Sequence, residues 1–301
     1  MNKWLKRTGL TVIALAVLGA ATVLVAAQLG ERKMQRRIDL TVQPVALRSD
    51  ADAIERGRYL FMSRGCSDCH AANGAGKDVI KDAGGMWVRS PNITGGSGGV
   101  VGSYTATDWT RTLRHGVKPD GRPVMLMPSE DYARLTDADV SAIVAYVTQL
   151  PPAAGEAARI EFPVPVKVLY AAGMVRDAAE KIDHTLPPAQ PVPEGVTAAH
   201  GAYVANGCIG CHGATLSGGK VPGAPPTWPA AANLTPGEGS ALVRYPTADA
   251  FVAMLRSGRR PDGSAVSTVM PFASLKAMSD TDVRALYLHL KALPPRPAGQ
   301  H

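Results

Sequence analysis

Residues 8–30, TGLTVIALAVLGAATVLVAAQLG, are uncharged and apolar without favouring one face. As a helix, Leu10 to Leu29 rises about 30 Å, the thickness of a bilayer core. Beyond it the apolar positions fall into helical period. DADAIERGRYLFMSRG predicts a helix running into Cys66. TDADVSAIVAYVTQLPP predicts another: Thr136 as N-cap, Asp139 at N3, Val140, Ile143, Val144 and Val147 on one face, and Pro151 as the stop. Ser279, Asp282, Val283, Leu286, Tyr287 and Leu290 repeat that pattern. Shorter helices are predicted near Trp109–Arg114 and Phe251–Arg256, each followed by a turn, KPDG or RPDG, in which Pro presets φ and Gly relieves the backbone. No run alternates with the period of a strand, so the expected fold class is all-α.

Landmarks recur at a nearly constant offset. Cys66 and Cys208 differ by 142 positions, Asn92-Ile-Thr and Asn233-Leu-Thr by 141, Tyr104 and Tyr245 by 141, and Gly116 and Gly258 by 142. Met127-Pro128 and Met270-Pro271 differ by 143, as do Pro151-Pro152 and Pro294-Pro295. Such regularity is the mark of internal duplication. The expected organisation is an N-terminal segment with a basic flank (1–38), a first unit (39–152), a connector (153–193) and a second unit (194–301). Proline-rich ends around a short helix, Val168 to Ile182, suggest a connector packed across both units. Within it, Met174 reads as a core methionine and His184 as a surface histidine rather than as ligands.

Charge sharpens the view of the N-terminus. Of a net +7, Lys3, Lys6, Arg7, Arg32, Lys33, Arg36 and Arg37 against Glu31 account for +6, which leaves +1 for residues 39–301. A nucleic-acid partner is not expected, because phosphate binding needs a basic stripe on the folded part. The apolar segment reads as a membrane anchor stopped by ERKMQRR. A signal peptide cleaved near Val25-Ala26-Ala27 is the alternative. Aromatic residues make up only 5% while Gly (31) and Pro (24) abound, so long loops need an organiser other than a large aromatic core.

All four cysteines lie in two pentapeptides, Cys66-Ser-Asp-Cys69-His70 and Cys208-Ile-Gly-Cys211-His212, so no thiol remains for a disulfide scaffold. A zinc site needs four converging ligands, and a thioredoxin-like disulfide has no use for the following histidine. A c-type haem uses all of the motif: two thiols bond the vinyl groups and the adjacent histidine binds iron. The expected cofactors are therefore two covalently bound haem c groups, held by Cys66, Cys69, Cys208 and Cys211, with iron on His70 and His212. The sixth ligand must come from across the ring. Met127 and Met270 stand 57 and 58 residues after their histidines, each before a proline. Met125 rivals Met127, but the duplication favours Met127.

Both halves resemble class I cytochrome c modules. The runs NIT…Y…GVKPDGRPVMLMPSEDYARLTDADVSAIVAYV and NLTP…RRPDGSAVSTVMPFASLKAMSDTDVRALYLHL resemble the cytochrome c subunits of bacterial alcohol and sugar-acid dehydrogenases, over about residues 50–297. The resemblance implies electron transfer from a periplasmic dehydrogenase to quinone or a terminal oxidase. It also implies that Asn92, Tyr104, Trp109, Asn233 and Tyr245 surround the haems and bond propionates. Those subunits usually carry three haem motifs, whereas two occur here.

With His and Met at both axial positions, neither iron offers a vacant site, so electron transfer rather than catalysis is expected. Haem attachment outside the cytoplasmic membrane would put the folded part in the periplasm, below a single inner-membrane span. The expected partners are the membrane, a periplasmic or membrane dehydrogenase or quinol donor, and a respiratory oxidase or the quinone pool. Alternatives are a dihaem subunit of a cbb3-type oxidase and a dihaem cytochrome c peroxidase.

Overall fold

The computed structural model describes residues 3–225 and 227–299. The apolar segment is one unbroken helix, α1 (Lys3–Met34), of 32 residues, long and apolar enough to cross a membrane. In the first unit follow α2 (Ala51–Ser63), α3 (Cys66–His70), strands β1 (Asp78–Lys81) and β2 (Trp87–Arg89), then α4 (Ala106–His115), α5 (Ser129–Tyr132) and α6 (Asp137–Thr148). The connector supplies β3 (Arg159–Glu161), α7 (Val164–Ala171) and α8 (Ala178–Lys181). The second unit holds α9 (Ala198–Ala205), α10 (Ile209–His212), α11 (Ala248–Ser257), α12 (Phe272–Ala277) and α13 (Asp280–Ala292).

Each unit is built on one helix crossing. Thr136 and Ser279 cap α6 and α13, each accepting from the N–H of the aspartate three residues on. α2 lies across α6 at Gly57, where a Cβ would stand 1.8 Å from the Ala142 carbonyl oxygen. α9 lies across α13 at Gly201, where a Cβ would stand 1.9 Å from the Ala285 carbonyl oxygen. Only glycine permits that approach, and it lets Leu60, Phe61, Val140 and Val144 bury together in the first unit. Val204, Val283, Leu286 and Leu290 do the same in the second.

The units meet through reciprocal hydrogen bonds. The Tyr59 hydroxyl donates to Asp282 Oδ2 (2.7 Å) and accepts from the Ser279 N–H (3.0 Å). The Tyr203 hydroxyl donates to Asp139 Oδ2 (2.6 Å) and accepts from the Thr136 N–H (3.2 Å). Each tyrosine thus closes the first turn of the other unit's last helix. Asp139 is held further by Arg56 (2.9 and 3.0 Å), and Asp282 by His200 Nε2 (2.8 Å) and Arg64 (2.9 Å). Burial pushes the Asp282 carboxyl up, but Arg64, Tyr59 and His200 together hold it below the usual carboxylate range.

Several expectations need correction. The first unit is not purely helical: β2 pairs antiparallel with both β1 and β3, with Lys81, Trp87 and Glu161 in one row. Strands of three or four residues carry too little alternation to be read, and β3 comes about 70 residues after β2. The connector helix also differs. Gly173 adopts φ +75° and Asp177 caps a new start, so the expected 168–182 helix is two short ones, α7 and α8. Backbone bonds also cross the expected boundary after Pro152: the Asn92 N–H donates to the Glu156 carbonyl (2.9 Å) and the Gly155 N–H to the Ser97 carbonyl (3.0 Å). Met174 is 68% exposed rather than a core residue. His184 Nδ1 lies 3.1 Å from His115 Nδ1.

The basic flank of α1 is bonded to the connector. Lys33 pairs with Glu180 (2.8 Å), Arg36 with Asp177 (2.7 Å), and Lys167 with Glu31 (2.7 Å). Lys33 also sits over the Tyr170 ring at 4.4 Å. Replacing Gly201 by Ala drives a methyl into a backbone carbonyl. The expected cost is about 1–3 kcal/mol, measured as a Tm lowered by several degrees.

Candidate cofactor site

α2 delivers Cys66 to a short turn that ends at His70, and Gly65 opens it with φ +82°. His70 Nδ1 donates to the Pro91 carbonyl at 3.0 Å, and the ring is buried. Burial lowers its pKa, so the imidazole is neutral near pH 7, and the carbonyl fixes the tautomer with the lone pair on Nε2. The second unit repeats this: His212 Nδ1 donates to the Ala232 carbonyl at 2.8 Å, which selects the same tautomer. Met127 packs in the same apolar cluster as Cys66, and Met270 in the same cluster as Cys208. Met125 lies in a different cluster, with Met34, Val88, Phe162 and Tyr170.

Burial pushes the Cys66 and Cys208 thiols up to about 12. A redox-active dithiol needs a thiolate stabilised below its ordinary pKa, and these sites do the reverse. Among the described residues, no three His, Cys, Asp or Glu side chains converge as a metal-binding group, so the donor set for a zinc site is lacking. Two thiols and an imidazole whose Nδ1 is fixed by a backbone carbonyl, neutral in the case of His70, fit a covalent haem. Residues 54–151 match the Cytochrome c family. The chain carries a cytochrome c domain. It is also 30% identical over 282 residues to the cytochrome c subunit of a quinone alcohol dehydrogenase from Gluconobacter oxydans, covering 84% of this chain and 57% of that one. Against the fructose dehydrogenase cytochrome subunit of Gluconobacter japonicus it is 26% identical, covering 84% and 55%. Against a dihaem c-type cytochrome of Cereibacter sphaeroides it is 26% identical, covering 79% and 85%. The chain therefore spans a little over half the length of these two dehydrogenase subunits.

Around the cytochrome c domain's cysteines, the residues singled out in sequence separate into two groups. Tyr104 and Trp109 meet edge to face at 5.1 Å within the cluster that holds Cys66 and Met127. Tyr245 meets Phe251 at 5.8 Å in the cluster of Cys208 and Met270. The asparagines have another task. Asn92 Nδ2 donates to Ser97 (3.1 Å) and Ala153 (2.8 Å) carbonyls, and its Oδ1 accepts from the Thr94 N–H (2.8 Å). Asn233 Nδ2 donates to Glu238 (3.0 Å) and Arg296 (2.8 Å) carbonyls, and its Oδ1 accepts from the Thr235 N–H (2.8 Å). An amide has two N–H donors, and both are spent in each case, so neither side chain has a proton for a propionate. They brace the loop that offers the histidine its carbonyl.

Two positioning residues escaped the sequence reading. Arg114 bonds the Leu135 carbonyl (2.8 Å) and Asp137 (2.5 Å), and Arg256 bonds the Met278 carbonyl (2.7 Å) and Asp280 (2.7 Å). Each ties the helix before the methionine to the start of the last helix, bracketing the methionine segment between them. They differ by 142 positions, so the duplication could have found them.

The two cysteine turns also touch the opposite unit. Ser274 on α12 donates to Asp68, inside the first pentapeptide. At the equivalent contact, a Cβ on Gly210 in the second pentapeptide would lie 3.1 Å from the Asp131 carboxylate on α5. Burial, then Glu130, raises Asp131 from 3.8 to about 7. A carboxyl raised in the folded state contributes stability below about pH 4 that is lost as pH rises through about 7. The slope is at most about 1.4 kcal/mol per pH unit. Asp131→Asn should abolish it. The expected outcome is a Tm advantage of the variant that grows from pH 5 to pH 8 in thermal melts.

Proposed function

We propose that the chain is a membrane-tethered dihaem electron carrier built of two tandem class I cytochrome c modules. It takes electrons from a dehydrogenase or quinol and passes them to a respiratory acceptor. Cys66 and Cys69 would anchor one haem and Cys208 and Cys211 the other. His70 with Met127, and His212 with Met270, would supply the axial donors. The observation that carries this is the coincidence in both units of a carbonyl-fixed histidine and a methionine packed with the cysteines.

When bound, haem c supplies a one-electron couple. The protein's part would be to offer each iron a histidine and a methionine, which would favour outer-sphere transfer over substrate chemistry, with Tyr104 and Trp109 in one unit and Tyr245 and Phe251 in the other packed in the clusters that hold Cys66 and Cys208. Thioether sulfur favours ferrous iron and raises the potential. The dehydrogenase partner is supported by the relatives, which are cytochrome subunits of fructose and alcohol dehydrogenases. With α1 in the cytoplasmic membrane, both modules would face the periplasm, where c-type haem is attached.

The test is a haem count and a redox titration of the purified full chain. Two thioether-linked haems per polypeptide are expected. Met127→Ala and Met270→Ala should each lower one midpoint potential by about 60 mV or more, a tenfold shift in that one-electron equilibrium, and leave the other in place. A single haem, or spectra indifferent to both methionines, would overturn the proposal.

A further inference from the structure

α1 and α7 run side by side in the same direction. Gly30 meets the Lys167 carbonyl oxygen, where a Cβ would stand 2.2 Å away, and Glu31 pairs with Lys167 at 2.7 Å. Further along, Lys33 Nζ donates to the Tyr170 carbonyl (3.0 Å) and Arg36 to the Tyr170 hydroxyl (2.6 Å). Contacts thus advance together, about 1.5 Å per residue on both helices. Three residues back from Lys167, Val164 comes level with Ala27, which is buried although it belongs to the uncharged segment. The start of α7 therefore stands beside the last turns of the apolar span, on the side the span comes from.

The sheet leads directly into this turn. β3 runs into α7 through Phe162 and Pro163, and Glu161 at its end stands in register with Trp87 and Lys81. The β1–β2 turn, Asp82 to Met86, lies just beyond that row. Ile80, Met86, Val88, Ile160, Phe162 and Val166 share one apolar cluster with Met34 and Tyr170, so sheet, α7 and α1 form one packed body. Its exposed tip carries Val164 at 43% and the exposed Pro165. Trp87, in register with Glu161 three residues before Val164, has Lys81 Nζ at 3.8 Å and the Arg159 guanidinium at 3.5 Å from its ring centre, and its indole N–H donates to Asp78 at 3.0 Å. A tryptophan flanked by cations beside exposed aliphatics is the composition of a bilayer's interfacial layer. Asp82, in the turn, accepts from the Met86 N–H (3.1 Å), and Glu161 pairs with Arg159 (2.6 Å); both carboxylates can remain hydrated at headgroup depth.

We propose that the β1–β2 turn, Trp87 and the first turn of α7 form a foot that rests in the headgroup layer of the bilayer crossed by α1. The foot and the span are one body, so the haem units stand in a fixed orientation to the membrane. The proposal rests on α1 being a retained span.

The full haem-loaded chain is reconstituted alone in phosphatidylethanolamine–phosphatidylglycerol vesicles, with a fluorophore on Ala83→Cys or Val164→Cys. Leu18→Cys, at mid-span, and Val243→Cys, 78% exposed on the second unit, are the controls. Labels at 83 and 164 should be quenched by nitroxide lipids at least twofold more than the label at 243, and less by aqueous iodide. Iodide quenching at 83 and 164 equal to that at 243, with the label at 18 lipid-quenched, would overturn the foot and leave the span intact. Lipid quenching absent at 18 as well would overturn the span and the foot together, without touching the haem count. Labels at 83 and 164 shielded from both quenchers would mean that protein covers this face, which also overturns the proposal.

Discussion

Two phenol groups hold the halves of this protein in register. Tyr59 and Tyr203 each reach across the interface to the aspartate in the first turn of the other unit's last helix, and each also takes that helix's N-cap N–H. Helix starts leave N–H groups unsatisfied, and aspartates there are favoured by the dipole, so the contact uses groups every capped helix already has. Because the aspartates are buried, losing a tyrosine bond would leave a carboxylate with one hydrogen bond fewer, its charge still paired by Arg56 or Arg64. The interface is therefore fixed in geometry rather than sliding.

From that register follows the placement of the chemistry. Once the last helices are clasped, α12 comes to lie on the first cysteine turn and α5 on the second, through Ser274 with Asp68 and Asp131 with Gly210. Each cysteine turn is thus covered by the segment that follows the other unit's methionine. The pairing is symmetric in backbone and asymmetric in charge: a hydroxyl meets an aspartate at one contact, and a desolvated carboxyl meets a glycine at the other. Two units of the same design are thereby given different electrostatic surroundings.

The N-terminal end is equally determined. A basic flank after an apolar helix ordinarily faces water and headgroups, yet here Lys33 and Arg36 are committed to Glu180, Asp177 and Tyr170. A leash would allow a local search for partners, whereas this arrangement makes α1 a strut continuous with the connector. The connector in turn is tied to the first unit by β3 and by the carbonyl of Ala153 on Asn92.

Short-range signals were legible in the chain. The caps at Thr136 and Ser279, the prolines that end the last helices, the apolar span and the two pentapeptides depend on neighbours a few residues apart, and so does their spacing through the duplication. Sequence therefore determined the helices, their repetition and the residue types offered to a cofactor. What it left undecided depends on contacts made across about sixty residues or more, or on which side chain reaches a shared atom first. The three-stranded sheet joins a hairpin inside the first unit to a strand of the connector that follows it, and Asn92 and Asn233 give their amide protons to loop carbonyls. The tyrosine clasp needs both units folded, and Met127 parts from Met125 only because the two pack into separate clusters. Local propensity carries no information on such contacts, because the free energy that selects them comes from burial and hydrogen bonding that exist only after the chain has closed on itself.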